Sequence, residues 1–240
     1  MTRFFVLPEQ IAGAVVTLDE ADARHLDRVL RARPGERIAI CDGSGRLYTA
    51  VLSALSKTSA SAEIQSVDEP DVEPRVRLAV AQALPKQVEK LEWVLQHGVE
   101  AGASTFFVFR SRRSEAGKLA ERPERWEKIA RTAAEQSGRV LLPPVTLLPS
   151  LDAALALAGD FDQALFCDEG EKARSLRAAL APSLGSALLL IGPEGGWDES
   201  ERAAALAAGA LPISLGPRIL RTETAALVAL SQVLALREPG

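Results

Sequence analysis

The sequence predicts an α/β protein in two parts: a small β-rich domain over residues 1–70 and a larger domain with a parallel sheet over residues 75–240. Three observations predict it. Beyond residue 75 short apolar runs alternate with helical patterns, the signature of repeated βα units and a parallel sheet. Before residue 70 the apolar runs are rich in β-branched and aromatic residues and are joined by turns. Within Ser186–Thr224 two buried-type runs, Ala187–Ile191 and Leu211–Leu215, are each followed at once by a glycine-containing loop, GPEGG and GPRILRTE.

In the first part, Arg3–Leu7, Ala14–Leu18, Arg37–Cys41, Leu47–Leu55 and Ser61–Val67 read as strands, with Asp42–Gly45 as a hairpin turn. Asp19 is a natural N-cap for one interrupting helix, with Leu26, Val29 and Leu30 as its apolar stripe. Arg24, Arg28 and Arg31 follow at helical spacing on one face. Val67–Pro74 (VDEPDVEP), acidic and proline-containing, reads as the linker.

In the second part, the strands are Val76–Ala83, Thr105–Phe109, Val145–Leu148, Phe161–Cys167 and the two runs above. Helices are expected over Gln87–Glu100, Pro123–Gln136, Leu151–Leu157 (capped by Ser150), Lys172–Leu180, Glu199–Ala208 and Glu223–Leu236. Pro123 sits where a helix tolerates proline, and Gly138 ends that helix. The apolar face of the last helix (Ala226, Leu227, Leu230, Val233, Leu234) suits either the core or a subunit interface.

Composition is that of a globular chain: 47% hydrophobic and 25% charged residues. Met1–Val6 carries Arg3 and lacks a long apolar core, so no signal peptide is expected. No apolar run is long enough to span a bilayer. Cys41 and Cys167 match no metal or redox spacing, and the two histidines, His25 and His97, suggest no metal site. Reduced thiols and a cytoplasmic location are the expectation. Net charge is −4, yet residues 110–139 hold nine Lys/Arg against five Glu. Phosphate binding depends on such local patches rather than on total charge. Pairs Glu121–Arg125, Glu124–Lys128 and Glu127–Arg131 explain much of that helix as solvated surface. They leave Arg110, Arg112 and Arg113 in the preceding loop unexplained.

The two glycine loops at strand ends imply two walls of one ligand site, because open α/β sheets bind beyond the carboxyl ends of their strands. No lysine follows the glycines, so GPEGG is not a P-loop, and no GxGxxG fingerprint is present. Apolar Ile219 and Leu220 beside Arg218 and Arg221 suit the face of a planar base. The strand end Phe166–Gly170 reads either as a third wall or as a plain terminus.

IGPEGGWDESE and SLGPRILRTETAAL, with RFFV, HLDRVLR, ALPK and AAEQSGR, resemble the small-subunit rRNA methyltransferase E family, the 16S rRNA (uracil-N3)-methyltransferases of the SPOUT superfamily. The resemblance covers nearly the whole chain. It implies a PUA-like β-barrel at 1–70, and at 75–240 a SPOUT methyltransferase domain whose C-terminal trefoil knot no periodicity reveals. It implies S-adenosylmethionine as cofactor, 16S rRNA or the small ribosomal subunit as partner, a homodimer, and neither metal nor membrane. On this reading the cofactor wall is Phe166, Leu190, Ile191, Gly192, Pro193, Glu194, Gly195, Gly196, Leu215, Gly216, Ile219, Leu220 and Thr222. The RNA contacts are Arg3, Arg24, His25, Arg28, Arg31, Arg110, Arg112 and Arg113. The catalytic candidates are Arg221 for charge stabilisation, with Arg218 second, and Glu194 or Glu223 as the carboxylate that takes the uracil proton or orients the base. A first-turn carboxylate favoured by the helix dipole serves Glu223 equally. Rival readings are a non-catalytic RNA-binding protein, a SPOUT enzyme acting on another RNA, and a nucleotide hydrolase, the last disfavoured by the missing lysine and metal ligands.

Overall fold

The computed structural model describes residues 1–115 and 122–238. Lys118 and Glu121, and with them the expected Glu121–Arg125 pair, lie outside the described residues. The chain divides into two compact units, Met1–Glu73 with Ala134–Leu142 and Pro74–Ala133 with Pro143–Gly240.

The first unit is a six-stranded mixed sheet. Its strands are β1 (Arg3–Phe5), β2 (Ile11–Ala12), β3 (Val15–Leu18), β4 (Arg37–Cys41), β5 (Leu47–Leu55) and β6 (Ala60–Asp68), in the order β1-β4-β5-β6-β3-β2. Only β1 and β4 pair in parallel. Alternation sends Val16 and Leu18, Tyr48, Ala50 and Leu52, and Ala60 and Ala62 into one core with Phe4, Leu26, Ile38 and Ile40. The β4–β5 hairpin is closed by Asp42, whose carboxylate accepts from the Ser44 amide at 2.9 Å and the Tyr48 hydroxyl at 2.8 Å.

Helix α1 (Glu20–Arg24) starts where Asp19 accepts from the Asp22 amide at 2.9 Å. From His25 to Leu30 the helix widens to π-type winding and stops at Arg31 in the left-handed region, φ 54. The expected stripe is thereby broken. Leu26 is buried, but Val29 is 66% and Leu30 39% exposed, because the wider turn rotates them out of α-helical register.

Ala134–Leu142, expected within the second domain, groups with the first unit. Arg139, only 5% exposed, donates to Glu73 Oε2 from Nη2 at 2.6 Å and from Nε at 2.9 Å. Glu73 Oε1 accepts from the Val140 and Leu141 amides. The stretch read as a linker thus contains the anchor of a half-buried ion pair.

The second unit holds β7 (Arg77–Ala83), α2 (Val88–Glu100), β8 (Thr105–Phe109), α3 (Pro123–Ser137, whose last residues fall in the first unit), β9 (Val145–Leu148), α4 (Leu151–Leu155), β10 (Gln163–Cys167), α5 (Leu176–Ala179), β11 (Ser186–Ile191), α6 (Glu199–Ala207), β12 (Leu211–Ile213) and α7 (Thr222–Arg237). All six strands are parallel, in the order β12-β10-β11-β7-β8-β9. The chain starts at β7, steps outward through β8 and β9, then crosses to β10 on the far side of β11. That reversal is a switch point of the kind where α/β sheets bind ligands. Every residue of β11 is buried, as a central parallel strand requires.

Two helices are shorter than expected. The segment Lys172–Leu180 forms only the single turn α5, capped by Ser175, and α4 ends at Leu155. On α7, Ala226, Leu230 and Val233 are buried while Leu227 and Leu234 are partly so, which makes this face largely core. Among the described residues no helix is long and apolar enough to cross a membrane.

Candidate active site

Beyond the carboxyl ends of β10, β11 and β12 lies a cavity of ≈ 320 Å³. Cys167, Asp168 and Glu169 form its first wall, so the strand end after Phe166 does contribute. Ile191, Gly192, Pro193, Glu194, Gly196 and Trp197 form the second. Ile213 to Gly216 and Arg218 to Thr222 form the third, with Lys172 and Ala225 completing the lining. Of the expected cofactor wall, Phe166, Leu190 and Gly195 are absent from this lining. Phe166 and Leu190 are core residues, 2% and 0% exposed.

Trp197 explains much of the shape. Its ring stacks on Phe166 with centroids 4.4 Å apart, and its Nε1 donates to the Cys167 carbonyl at 2.8 Å. A Cβ on Gly192 would stand 2.9 Å from the indole, so only glycine lets the loop close over the ring. Gly196 sits at φ +67, and a Cβ there would meet Glu169 Oε1 at 2.9 Å. Gly195 presents its open side to Arg113 instead of the cavity.

The loops are pinned from beneath. Gln82, fully buried at the end of β7, donates from Nε2 to Thr222 Oγ1 at 2.8 Å, and the Thr222 hydroxyl donates to the Gly192 carbonyl. Among the described residues Gln82 Oε1 has no hydrogen-bond partner.

The two carboxylate candidates differ. Glu194 accepts from Lys90 Nζ at 2.8 Å and from the Lys86 amide at 3.1 Å. Burial opposes its ionisation, but Lys90 and the amides outweigh burial and hold its pKa below the ordinary carboxylate value. Such a group is a weak proton acceptor near neutrality. Glu223 lies outside the lining, 4.0 Å from Lys90 Nζ, and among the described residues its buried Oε2 has no hydrogen-bond partner. Arg221 and Arg218 line the cavity and are exposed. Asp168 is held by Arg202 at 2.8 Å and by the Gly170 amide.

Arg113 donates to the Gly195 carbonyl at 3.1 Å, and the Arg112 amide donates to buried Glu201 at 2.8 Å. The loop after β8 therefore lies against the GPEGG loop. Arg110 is partly buried. In the first unit Arg24, His25, Arg28 and Arg31 are exposed, Arg24 pairing with Glu20. Arg3, expected among the RNA contacts, is partly buried and its guanidinium donates to the Gly138 and Arg139 carbonyls.

Burial raises the Cys167 thiol to about 12 and that of Cys41 to about 11, so neither supplies a thiolate. Among the described residues no group of three His, Cys, Asp or Glu could hold a metal ion. Sequence reasoning missed Lys172, Trp197 and Ser214 in the lining and Gln82 and Lys90 behind it. Trp197 had a signal, directly following the Gly195-Gly196 pair. The others carried none, since only tertiary packing brings them to the loops.

A parallel sheet with such a strand-end cavity is the ligand-binding arrangement of α/β proteins, and its class follows from comparison. Residues 72–234 match the RNA methyltransferase domain and residues 18–65 the RNA methyltransferase PUA domain. The chain is 37% identical to ribosomal RNA small subunit methyltransferase E of Synechocystis, over 98% of its length and 78% of that relative. It is 35% identical to the Bacillus subtilis enzyme of that name, over 97% and 96%. The crystal structure of a Neisseria gonorrhoeae ribosomal RNA small subunit methyltransferase E bound to S-adenosyl methionine superposes with a TM-score of 0.88 at 36% identity, covering 98% of each chain. The chain belongs to the ribosomal RNA small subunit methyltransferase E family.

Proposed function

We propose that this protein transfers a methyl group from S-adenosylmethionine to N3 of a uridine in 16S rRNA, acting in the cytoplasm as a homodimer with residues 1–70 as its RNA-binding domain. The observation that carries the proposal is the cavity itself. Ile191, Ile213, Leu215 and Leu220 offer apolar surface, the glycine loops offer backbone groups, and Glu169 and Glu194 offer negative charge. That set suits the adenosine and the sulfonium of S-adenosylmethionine. Bound there, S-adenosylmethionine supplies an electrophilic methyl group.

The remaining work falls to the chain. Uracil N3 carries a proton and is a poor nucleophile until it leaves. Arg221, with Arg218 beside it, stabilises the charge that then develops on the exocyclic oxygens. Glu194, ionised and held by Lys90, orients. Glu223, in the first turn of α7 and 4.0 Å from Lys90, is the second carboxylate candidate, for taking the proton or orienting the base. The resemblance to SPOUT enzymes supports a knotted C-terminal region and a site completed across the dimer.

Mass spectrometry of 16S rRNA from a strain lacking the gene tests the proposal. Loss of one 3-methyluridine, restored by the gene, supports it. An unchanged nucleoside profile contradicts it and favours the non-catalytic or other-RNA reading.

A further inference from the structure

The π-type segment His25–Leu30 presents a surface that the catalytic reading does not use. Val29 is 66% and Leu30 39% exposed, side by side at the end of the segment. Around them Arg24, His25, Arg28, Arg31 and Arg33 are exposed, and Asp27 is the one acid between residues 24 and 33. Among the described residues Arg31 is the one non-glycine residue at positive φ. A helix ordinarily ends there on glycine or asparagine. An arginine in that position adds a cation directly after the apolar pair in the chain. π-type turns and left-handed non-glycine residues both concentrate at functional sites.

We propose that Val29 and Leu30 form an apolar wedge that enters an unpaired or bulged stretch of RNA, while Arg28 and Arg31 hold the flanking phosphates. The proposal rests on the reading of this chain as an RNA-modifying protein and adds what it recognises. Charge decides the occupant: two exposed apolar side chains in a stretch with four arginines and one acid fit a nucleobase flanked by phosphates. Apolar wedges separate stacked bases in other nucleic-acid complexes, and RNA is read mainly where bases are unstacked.

The test uses the full chain and a synthetic RNA hairpin with 2-aminopurine in a bulge, alongside the fully paired duplex. The wild-type protein is expected to prefer the bulged RNA and to change the 2-aminopurine fluorescence. Val29→Ser with Leu30→Ser should weaken bulge binding roughly tenfold or more and abolish the fluorescence change, with duplex binding and the circular dichroism spectrum retained. Val29→Trp should keep the preference. If the serine variant binds the bulge and changes fluorescence as wild type does, the wedge is overturned and RNA binding stands. Wild-type protein that binds neither RNA overturns the RNA reading along with the wedge. A serine variant that loses only self-association on sedimentation shows an interface between copies, which also overturns the wedge.

Discussion

The side-chain amide of Gln82 donates to the Thr222 hydroxyl at 2.8 Å, and through that hydroxyl it fixes the carbonyl of Gly192. Gln82 is the penultimate residue of β7, Gly192 opens the GPEGG loop, and Thr222 opens α7, so one buried relay joins two walls of the cavity to the sheet.

Thr222→Val should therefore act on both stability and the cavity. Valine matches threonine in shape but removes the hydroxyl on the Gly192 carbonyl and one of the two acceptors of the Gln82 amide, which keeps the Ala83 carbonyl at 3.0 Å, a loss of about 1–3 kcal/mol. Urea unfolding reads that cost. Calorimetry should show weaker S-adenosylmethionine binding, and Thr222→Ser should restore both.

Neighbouring glycines should respond differently. Gly196→Ala places a Cβ at positive φ against Glu169 and should weaken donor binding. Gly195→Ala meets Arg113 instead, 3.2 Å from its Cβ, and should leave donor affinity near wild type. Equal effects on calorimetry would mean that the loop moves as one piece.

Arg221 and Glu223 should separate binding from turnover. A group that stabilises charge only in the transition state lowers kcat without changing ground-state affinity. Arg221→Ala should bind S-adenosylmethionine nearly normally yet react about a hundredfold more slowly. Glu223→Gln should also slow turnover by about a hundredfold or more while leaving donor affinity near wild type. Single-turnover rates and donor affinities on the same preparations decide both.

Glu73 supplies a pH-dependent anchor. Burial would raise its pKa, but Arg139 and the amides of Leu141 and Val140 together lower it below the ordinary 4.5. A carboxylate depressed in the folded state stabilises fully above 4.5 and loses that contribution as pH falls through its lower folded value. Unfolding midpoints should drop below pH 4.5 and, for Glu73→Gln, be low already at neutrality. Removing the charge of one partner from this largely buried pair costs about 3–5 kcal/mol.

Much of this was legible in the chain because local chemistry carried it. The all-buried run of β11, the Ser150 and Asp19 caps and the two glycine loops all announce themselves in a few residues. The π-type winding did not, because Val29 and Leu30 have the spacing of an α-helical stripe and only the tertiary structure turns them outward. Gly195 was grouped with Gly192 and Gly196 by sequence, yet each glycine answers to a different neighbour: Trp197, Arg113 and Glu169. Lys90 and Gln82 lie about a hundred residues or more from the loops they support, beyond any local pattern. Ala134–Leu142 groups with the first unit, where Arg139 pairs with Glu73 and Arg3 donates to the Gly138 and Arg139 carbonyls, long-range contacts that no segment signals alone.

The central claim is that methyl transfer goes to N3 of uracil. Small ribosomal subunits from a strain lacking the gene, incubated with the purified protein and isotope-labelled S-adenosylmethionine, can be digested to nucleosides and separated by mass spectrometry. The account predicts that the label appears as 3-methyluridine. Label in a 2′-O-methylated nucleoside, or none in rRNA, would contradict it.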